Sequence, residues 1–206
     1  MGQVSKISDY IALTKFRLAS LVVFSAAAGY AMAPGVVNWA DFALLVAGGF
    51  LVTGSSNGFN QIIERDLDKL MDRTKNRPMP SGRMQVPEAL IVSILFGVAG
   101  LAMLWFINGA SFILGFLALF SYVAIYTPLK RKTPLSVFVG AFPGSVPPLL
   151  GYVAASGDFT LEAGILFLVQ FFWQFPHFWA IAWKANDDYL KAGFRMLPLS
   201  EGRGKR

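Results

Sequence analysis

Between Asn60 and Pro78 the chain reads Asn60-Gln-Ile-Ile-Glu64-Arg-Asp66-Leu-Asp68-Lys-Leu-Met-Asp72-Arg73-Thr74-Lys75-Asn-Arg77-Pro78. Asn60, Glu64, Asp68 and Asp72 recur every fourth residue. Four helical residues turn about 400°, so a helix through this stretch sets all four on one slowly drifting face. Oxygen ligands at that spacing suit a hard divalent cation such as Mg²⁺, which usually shares its coordination with substrate phosphates. Arg73, Lys75 and Arg77 suit the phosphates themselves. Asp66 points nearly opposite Glu64 and is expected to support rather than ligate. Asp72 lies a turn further out.

A second polar group follows much later, in Trp173-Gln-Phe-Pro-His177-Phe-Trp-Ala-Ile-Ala-Trp-Lys184-Ala-Asn186-Asp187-Asp188-Tyr189. Asp187 and Asp188 read either as a partner group for a second metal or as a solvated turn. His177 is the only histidine of the chain. It reads as a hydrogen-bonded structural residue or interfacial anchor, or as a group that transfers protons or touches substrate. Between the two groups, Tyr126-Thr-Pro-Leu-Lys130-Arg-Lys offers a phosphate-reaching pair, Tyr126 and Lys130, or simply flanking charge.

The elements that must position these residues are membrane-spanning. Across 206 residues, 55% are hydrophobic and only 15% charged, with mean hydropathy +0.53; soluble domains carry about a quarter charged residues. Six apolar segments are expected: Phe16–Met32, Trp39–Ile63, Ala89–Ile107, Ala110–Ile125, Leu135–Ala155 and Leu161–Trp183. Most approach the length that about 30 Å of hydrocarbon requires. Asn108-Gly109 reads as a tight turn. The whole chain, 1–206, reads as one all-α, multi-pass membrane domain. With no cysteine there are no disulfides or thiolate metal sites.

The eighteen Lys and Arg sort cleanly. Three precede or open the first segment, six lie between the second and third, three between the fourth and fifth, and six follow the sixth. All fall on one side of the bilayer, which the positive-inside rule makes cytoplasmic, with both termini and both acidic groups there. Topology thus accounts for the net charge of +6, and no nucleic-acid partner is expected. The first segment resembles a signal peptide only superficially, because its long flank contains Asp9. Lys6 breaks the myristoylation pattern.

Polar residues also interrupt the apolar segments. Thr53, Ser55, Ser56, Asn57, Asn60 and Gln61 must face protein or a water-filled cavity. They read as a cavity wall leading to the carboxylates, as close helix packing through small residues, or as both. Pro143, Pro147 and Pro148 are expected to kink or break the fifth segment, leaving carbonyls that need partners.

At these residues the chain resembles the UbiA superfamily of membrane prenyltransferases. The first family motif, Asn-x-x-x-Asp/Glu-x-x-x-Asp followed by Arg-Thr-x-x-Arg-Pro, matches Asn60, Glu64, Asp68, Arg73, Thr74, Arg77 and Pro78. The Tyr-x-x-x-Lys motif matches Tyr126 and Lys130. Longer strings resemble the heme branch: Glu64-Arg-Asp66-Leu-Asp68, Leu129-Lys-Arg-Lys-Thr-Pro134, Gly140-Ala-x-Pro-Gly-x-x-Pro147-Pro-Leu-Leu-Gly151 and Trp173-Gln-x-Pro-His177-Phe. Departures are Phe16 and Ser136, where the family usually has Pro and Asn, and the second Asp-x-x-x-Asp, which is not intact here.

The resemblance implies a nine-helix bundle of which about six helices are present, so the chain is expected to be truncated and a chamber left open on one side to be inactive. It implies a Mg²⁺-dependent transferase that moves a farnesyl group from farnesyl diphosphate to a vinyl group of heme b. The metal would be held by Asn60, Glu64 and Asp68, with Asp72 ranked below them. Arg73, Arg77, Tyr126, Lys130 and His177 would serve catalysis. Lys15, Arg17, Asn57, Thr74, Asp187 and Asp188 would bind substrate. The lipid bilayer of a prokaryotic plasma membrane, and heme A synthase or terminal oxidase assembly, are the implied surroundings. Rival readings are another aromatic prenyltransferase of the superfamily, a membrane transporter, and a non-enzymatic oxidase-assembly subunit.

Overall fold

In a computed structural model, residues 5–197 are described. The first residues, Pro198 and the basic tail with Arg203, Lys205 and Arg206 lie outside them. Among the described residues, helices α3 (Trp39–Asp68), α4 (Val86–Ile107), α7 (Ser136–Ser156) and α8 (Leu161–Lys184) are each long and apolar enough to cross a membrane. The continuous stretch Gly109–Leu129 is a fifth. It comprises α5 (Gly109–Phe120), a π-helical turn at Ser121–Tyr126 and the short α6 (Thr127–Leu129). A sixth span is formed if α1 (Lys6–Thr14) and α2 (Phe16–Met32) count as one, bent by 46° at Lys15. A last helix, α9 (Asn186–Lys191), follows α8. The chain is an all-α integral membrane protein, and each expected apolar segment is a helix or part of one. Side chains such as Leu21, Phe24, Trp105, Phe106 and Phe172 remain exposed, as a lipid-facing surface requires.

Two seams hold the bundle, and small residues make both. On α3, Gly48 and Gly58 face α4: a methyl on Gly58 would overlap the Ser93 hydroxyl, and one on Gly100 would lie 2.8 Å from the Gly48 carbonyl oxygen. Ser55 donates to the Ser93 carbonyl across this seam at 2.8 Å. On the other, Gly29 of α2 packs on the Pro148 carbonyl and Gly151 of α7 on the Ala26 carbonyl. Without a strong hydrophobic driving force between helices in lipid, such backbone approach supplies the attraction.

Of the expected kink or break in the fifth segment, the break is corrected, while the need of a freed carbonyl for a partner is met. Helix α7 runs unbroken for 21 residues through all three prolines. One of the carbonyls that the prolines free has a donor from outside. Pro148 has no N–H, so the Gly144 carbonyl loses its helical partner, and the Gln174 side-chain amide of α8 donates to it at 3.1 Å. Asn108 behaves as expected: it ends α4 and caps α5, accepting from the Ser111 amide at 2.8 Å.

Candidate active site

Helix α3 is 30 residues long, and about 20 suffice to span hydrocarbon. Its last two turns therefore carry Asn60, Glu64 and Asp68 beyond the apolar stretch while keeping the helical face they share. All three side chains are buried. The helix stops at Asp68, where the Thr74 hydroxyl donates to the Asp68 carbonyl at 2.8 Å. Asp72 consequently leaves the face on which the spacing placed it. Its side chain is exposed and paired with Lys75 and Lys191, each at 2.6 Å.

Lys15 arrives from the α1–α2 junction. It is the only described residue other than glycine with positive φ (49°), a left-handed conformation rare for a side-chain-bearing residue and concentrated at functional sites. Two polar residues of α3 stabilise the bend. The Asn57 amide donates to the Thr14 carbonyl at 2.9 Å, and the Gln61 amide to the Ala12 and Leu13 carbonyls at 3.1 and 2.7 Å. These carbonyls lie at the end of α1, where intrahelical donors run short; the Ala12 carbonyl also accepts from the Lys15 N–H at 3.3 Å. So the polar run in α3 serves both expected purposes: Ser55 and Gly58 pack against α4, while Thr53, Ser56 and Asn57 line an apolar pocket.

Tyr126 and Lys130 come from the other side. The π-helical turn is set by the Thr127 amide, which bonds to the Tyr122 carbonyl one residue beyond the α-helical partner, a distortion frequent at functional sites. Thr127 in turn accepts from the Asn60 amide at 3.3 Å. Gly140 leaves room for the Tyr126 ring. Lys130 is held through its backbone carbonyl by the Arg195 amide at 2.8 Å.

These elements enclose a polar cavity of about 140 Å³, whose lining includes Lys15, Asn60, Glu64, Asp68, Arg73, Arg77, Tyr126 and Lys130. Arg77 binds Asp68 at 2.7 Å, the Lys130 ammonium pairs with Glu64, and Lys15 donates to Asn60 Oδ1 at 3.2 Å. Asp68 Oδ1 is buried with no hydrogen-bond donor. Two carboxylates, one of them with an orphaned oxygen, and an amide oxygen fit a hard divalent cation that takes its remaining ligands from phosphate and water. No group of three His, Cys, Asp or Glu is gathered among the described residues, so the protein's own contribution stops short of a complete cage.

Tyr122 lines both this cavity and the apolar pocket walled by Val22, Val52, Pro143 and Pro147. On the other side, Glu64, Tyr189, Phe194 and Met196 are shared with an open groove of about 1130 Å³. The other sequence candidates lie elsewhere. Arg17, His177 and Asp187 are exposed and line none of these spaces. Asp188 accepts from the Asp72 and Arg73 amides at 3.2 and 3.1 Å, fastening α9 to the loop after α3. Sequence reasoning missed Tyr122, Thr127, Phe194 and Met196. Only Tyr122, one turn before Tyr126 and on its face, left a recoverable signal.

Charge sets the acid–base behaviour of that fastening. Lys191, then Lys75, hold the Asp72 carboxyl down at about 2. The Arg73 amide, foremost, lowers Asp188. Asp72 in turn raises Lys191. Carboxylates lowered in the folded state stabilise it above the ordinary value near 3.9, and that stabilisation is lost as pH falls toward the folded value. A raised lysine stabilises below its ordinary value, and the gain disappears as pH rises past the folded one. The α9 contact is therefore expected to hold from about pH 4 to about pH 10. Hydrogen exchange at the Asp72 and Arg73 amides, corrected for intrinsic rates, should lose protection as pH falls below about 4; unchanged protection on acidification would contradict it.

A model of the UbiA prenyltransferase family matches residues 22–206. The chain belongs to that family. It is 58% identical to the protoheme IX farnesyltransferase of Christiangramia forsetii over 197 residues, covering 96% of this chain and 66% of that protein. Against the protoheme IX farnesyltransferase of Flavobacterium johnsoniae the identity is 53%, with 92% and 64% covered. The chain thus spans somewhat less than two thirds of these relatives. Among solved structures, a UbiA homolog from Archaeoglobus fulgidus bound to GPP and Mg²⁺ superposes with a TM-score of 0.75 at 20% identity, over 91% of this chain and 67% of that one. This agrees with the helical arrangement that the family resemblance implied.

Proposed function

We propose that this UbiA-family chain forms the diphosphate-binding part of an enzyme that transfers a farnesyl group from farnesyl diphosphate to a vinyl group of heme b. The observation that carries the reading is one polar cavity bearing Glu64 and Asp68 among Lys15, Arg73, Arg77 and Lys130, joined through Tyr122 to an apolar pocket. A prenyl diphosphate has the matching halves. The identity to proteins named protoheme IX farnesyltransferase supports heme as the acceptor.

The diphosphate would sit among the four cations, and the isoprenoid chain along the apolar pocket. Asn60, Glu64 and Asp68 would hold Mg²⁺, which when bound supplies positive charge at the diphosphate oxygens. As the allylic carbon–oxygen bond breaks, its electron pair leaves with the diphosphate. Lys15, Arg73, Arg77 and Lys130 stabilise the charge that grows there. Tyr122 lies where the polar and apolar spaces meet and Tyr126 lines the polar one, so the Tyr122 ring is the one that would stabilise the allylic cation through its π face. The apolar walls keep bulk water from that cation. The heme vinyl group then attacks, and water adds its hydroxyl to the porphyrin-side carbon with release of a proton. The product is the hydroxyethylfarnesyl side chain of heme O. Asp72 contributes charge at the rim. Thr74 and Asn57 position the helix ends described above. The cationic mouth faces the cytoplasm of a prokaryotic plasma membrane, and heme A synthase or the terminal oxidase is the natural recipient of the product.

The test uses a chimera in which this chain replaces the matching part of the Christiangramia forsetii relative. Membranes carrying it, given heme b, farnesyl diphosphate and Mg²⁺, are expected to yield a heme heavier by one farnesyl group and one hydroxyl group, and EDTA is expected to stop the reaction. No product, or EDTA-insensitive product, rejects the reading.

A further inference from the structure

Each side chain offered to a metal is already engaged. Arg77 holds Asp68 at 2.7 Å, Lys130 holds Glu64, and Lys15 donates to the Asn60 oxygen at 3.2 Å. Glu64 and Asp68 are almost fully buried, at 4% and 0% exposure. Lys130 sits over the Tyr126 and Phe194 rings at 5.1 and 5.3 Å, so this cation has favourable contacts where it is. The lining carries four cations (Lys15, Arg73, Arg77, Lys130) against two carboxylates (Glu64, Asp68), a net formal charge of +2. A bare divalent cation entering this space is repelled by the excess positive charge, and must break buried charged contacts that leave three cations without partners. A diphosphate meets the opposite situation. It is attracted by the same excess, and its oxygens replace the carboxylates as partners for Lys15, Lys130 and Arg77.

We infer that the cavity is first an anion site, locked by ion pairs, and that binding of the diphosphate unlocks Glu64 and Asp68 for the metal. Lysines and arginine exchange carboxylate for phosphate, and the carboxylates they release take the divalent ion. Metal and diphosphate therefore load as one unit, and neither the metal nor metal-bound water occupies the site before the diphosphate. The inference rests on the diphosphate reading above and adds to it a binding order set by this chain's own residues. It also explains why two carboxylates suffice: the site has no need to hold a cation alone.

The test measures linkage rather than turnover. The 206-residue chain is placed in nanodiscs of zwitterionic lipid. Free Mn²⁺, a spectroscopic stand-in for Mg²⁺, is followed by electron paramagnetic resonance with and without inorganic pyrophosphate. Pyrophosphate binding is followed by calorimetry with and without the metal, after subtraction of the metal–pyrophosphate association measured without protein. Mn²⁺ alone is expected to show no stoichiometric binding, pyrophosphate alone in EDTA to bind, and each to strengthen the other at least about tenfold, equally in both directions. In the double variant Lys130→Gln, Arg77→Gln the locks are gone, so Mn²⁺ alone should bind at least about tenfold more tightly and the coupling should shrink. Should that variant fail to fold, the coupling measured on the unaltered chain decides by itself. Stoichiometric Mn²⁺ binding unaffected by pyrophosphate overturns the binding order while leaving the diphosphate site standing. Absence of pyrophosphate binding under every condition overturns both.

Discussion

Asp68→Asn is expected to reduce prenyl transfer by the chimera at least about 10²-fold, the scale of losing one preorganised charge-stabilising group, with no change in the yield of folded protein. The two halves of that expectation have separate causes. Asp68 Oδ2 accepts from Arg77 at 2.7 Å, and an asparagine amide oxygen in the same place still accepts from it. Removing a partner outright would strand a buried charge at a cost of about 3–5 kcal/mol, but the replacement keeps the contact, and Arg77 is itself 20% exposed. What is lost is the negative charge and the unpaired Oδ1 oxygen, the features that fit a divalent cation. Asp66→Asn is the control. That carboxylate is 68% exposed and engaged with Arg65 and Lys69, so turnover should be unchanged. Product measured by mass spectrometry beside size-exclusion profiles separates the cases. Wild-type turnover in Asp68→Asn would remove Asp68 from the metal shell, and equal losses in both variants would point to a general charge effect.

Gly151→Ala is expected to be the most damaging single methyl that can be added to the bundle. Alanine is the better helix former by about 1 kcal/mol, so propensity alone predicts a gain. The methyl would instead overlap the Ala26 carbonyl oxygen, with the Tyr30 amide nitrogen 2.9 Å away. Both obstacles are backbone atoms of α2, which cannot rotate aside as a side chain would. The two helices must separate along a seam where Gly29 meets the Pro148 carbonyl in the same way. We expect destabilisation of more than about 2 kcal/mol, within the range for overpacking, read as a drop in thermal midpoint. Gly164→Ala, where the added methyl meets nothing within 4 Å, should be neutral or stabilising. Equal midpoints for the two variants would show that the α2–α7 contact is looser than described.

The sequence made the helices legible because each carries a long apolar run, and it made Asn60, Glu64 and Asp68 legible because a period of four persists for as long as the helix does. It misled at Asp72 because nothing in the spacing reveals that the helix ends at Asp68. Asp187 and Asp188 read either as a second ligand group or as a solvated turn, since composition cannot tell a carboxylate aimed at a cavity from one bonded, as Asp188 is, to the Asp72 and Arg73 amides. The prolines of α7 suggested a kink or a break because the donor to the Gly144 carbonyl, Gln174, lies 30 residues away. Asn57 and Gln61 were readable as buried polar groups, but their partners on α1 are contacts of tertiary structure that no local pattern encodes. Tyr122, Phe194 and Met196 are ordinary membrane residues in every respect except where the fold puts them.

The left-handed turn at Lys15 has a consequence for how the protein is made. Its braces, Asn57 and Gln61, lie 43 to 49 residues downstream of the carbonyls they hold. When the first hydrophobic segment emerges from the ribosome, those amides have not been synthesised. The nascent segment therefore has no support for an unfavourable backbone conformation, and its straight form is the cheaper one until α3 enters the bilayer beside it. Maturation of the lysine's position is then a late step of biogenesis, completed by the arrival of a later transmembrane helix rather than by insertion of the first.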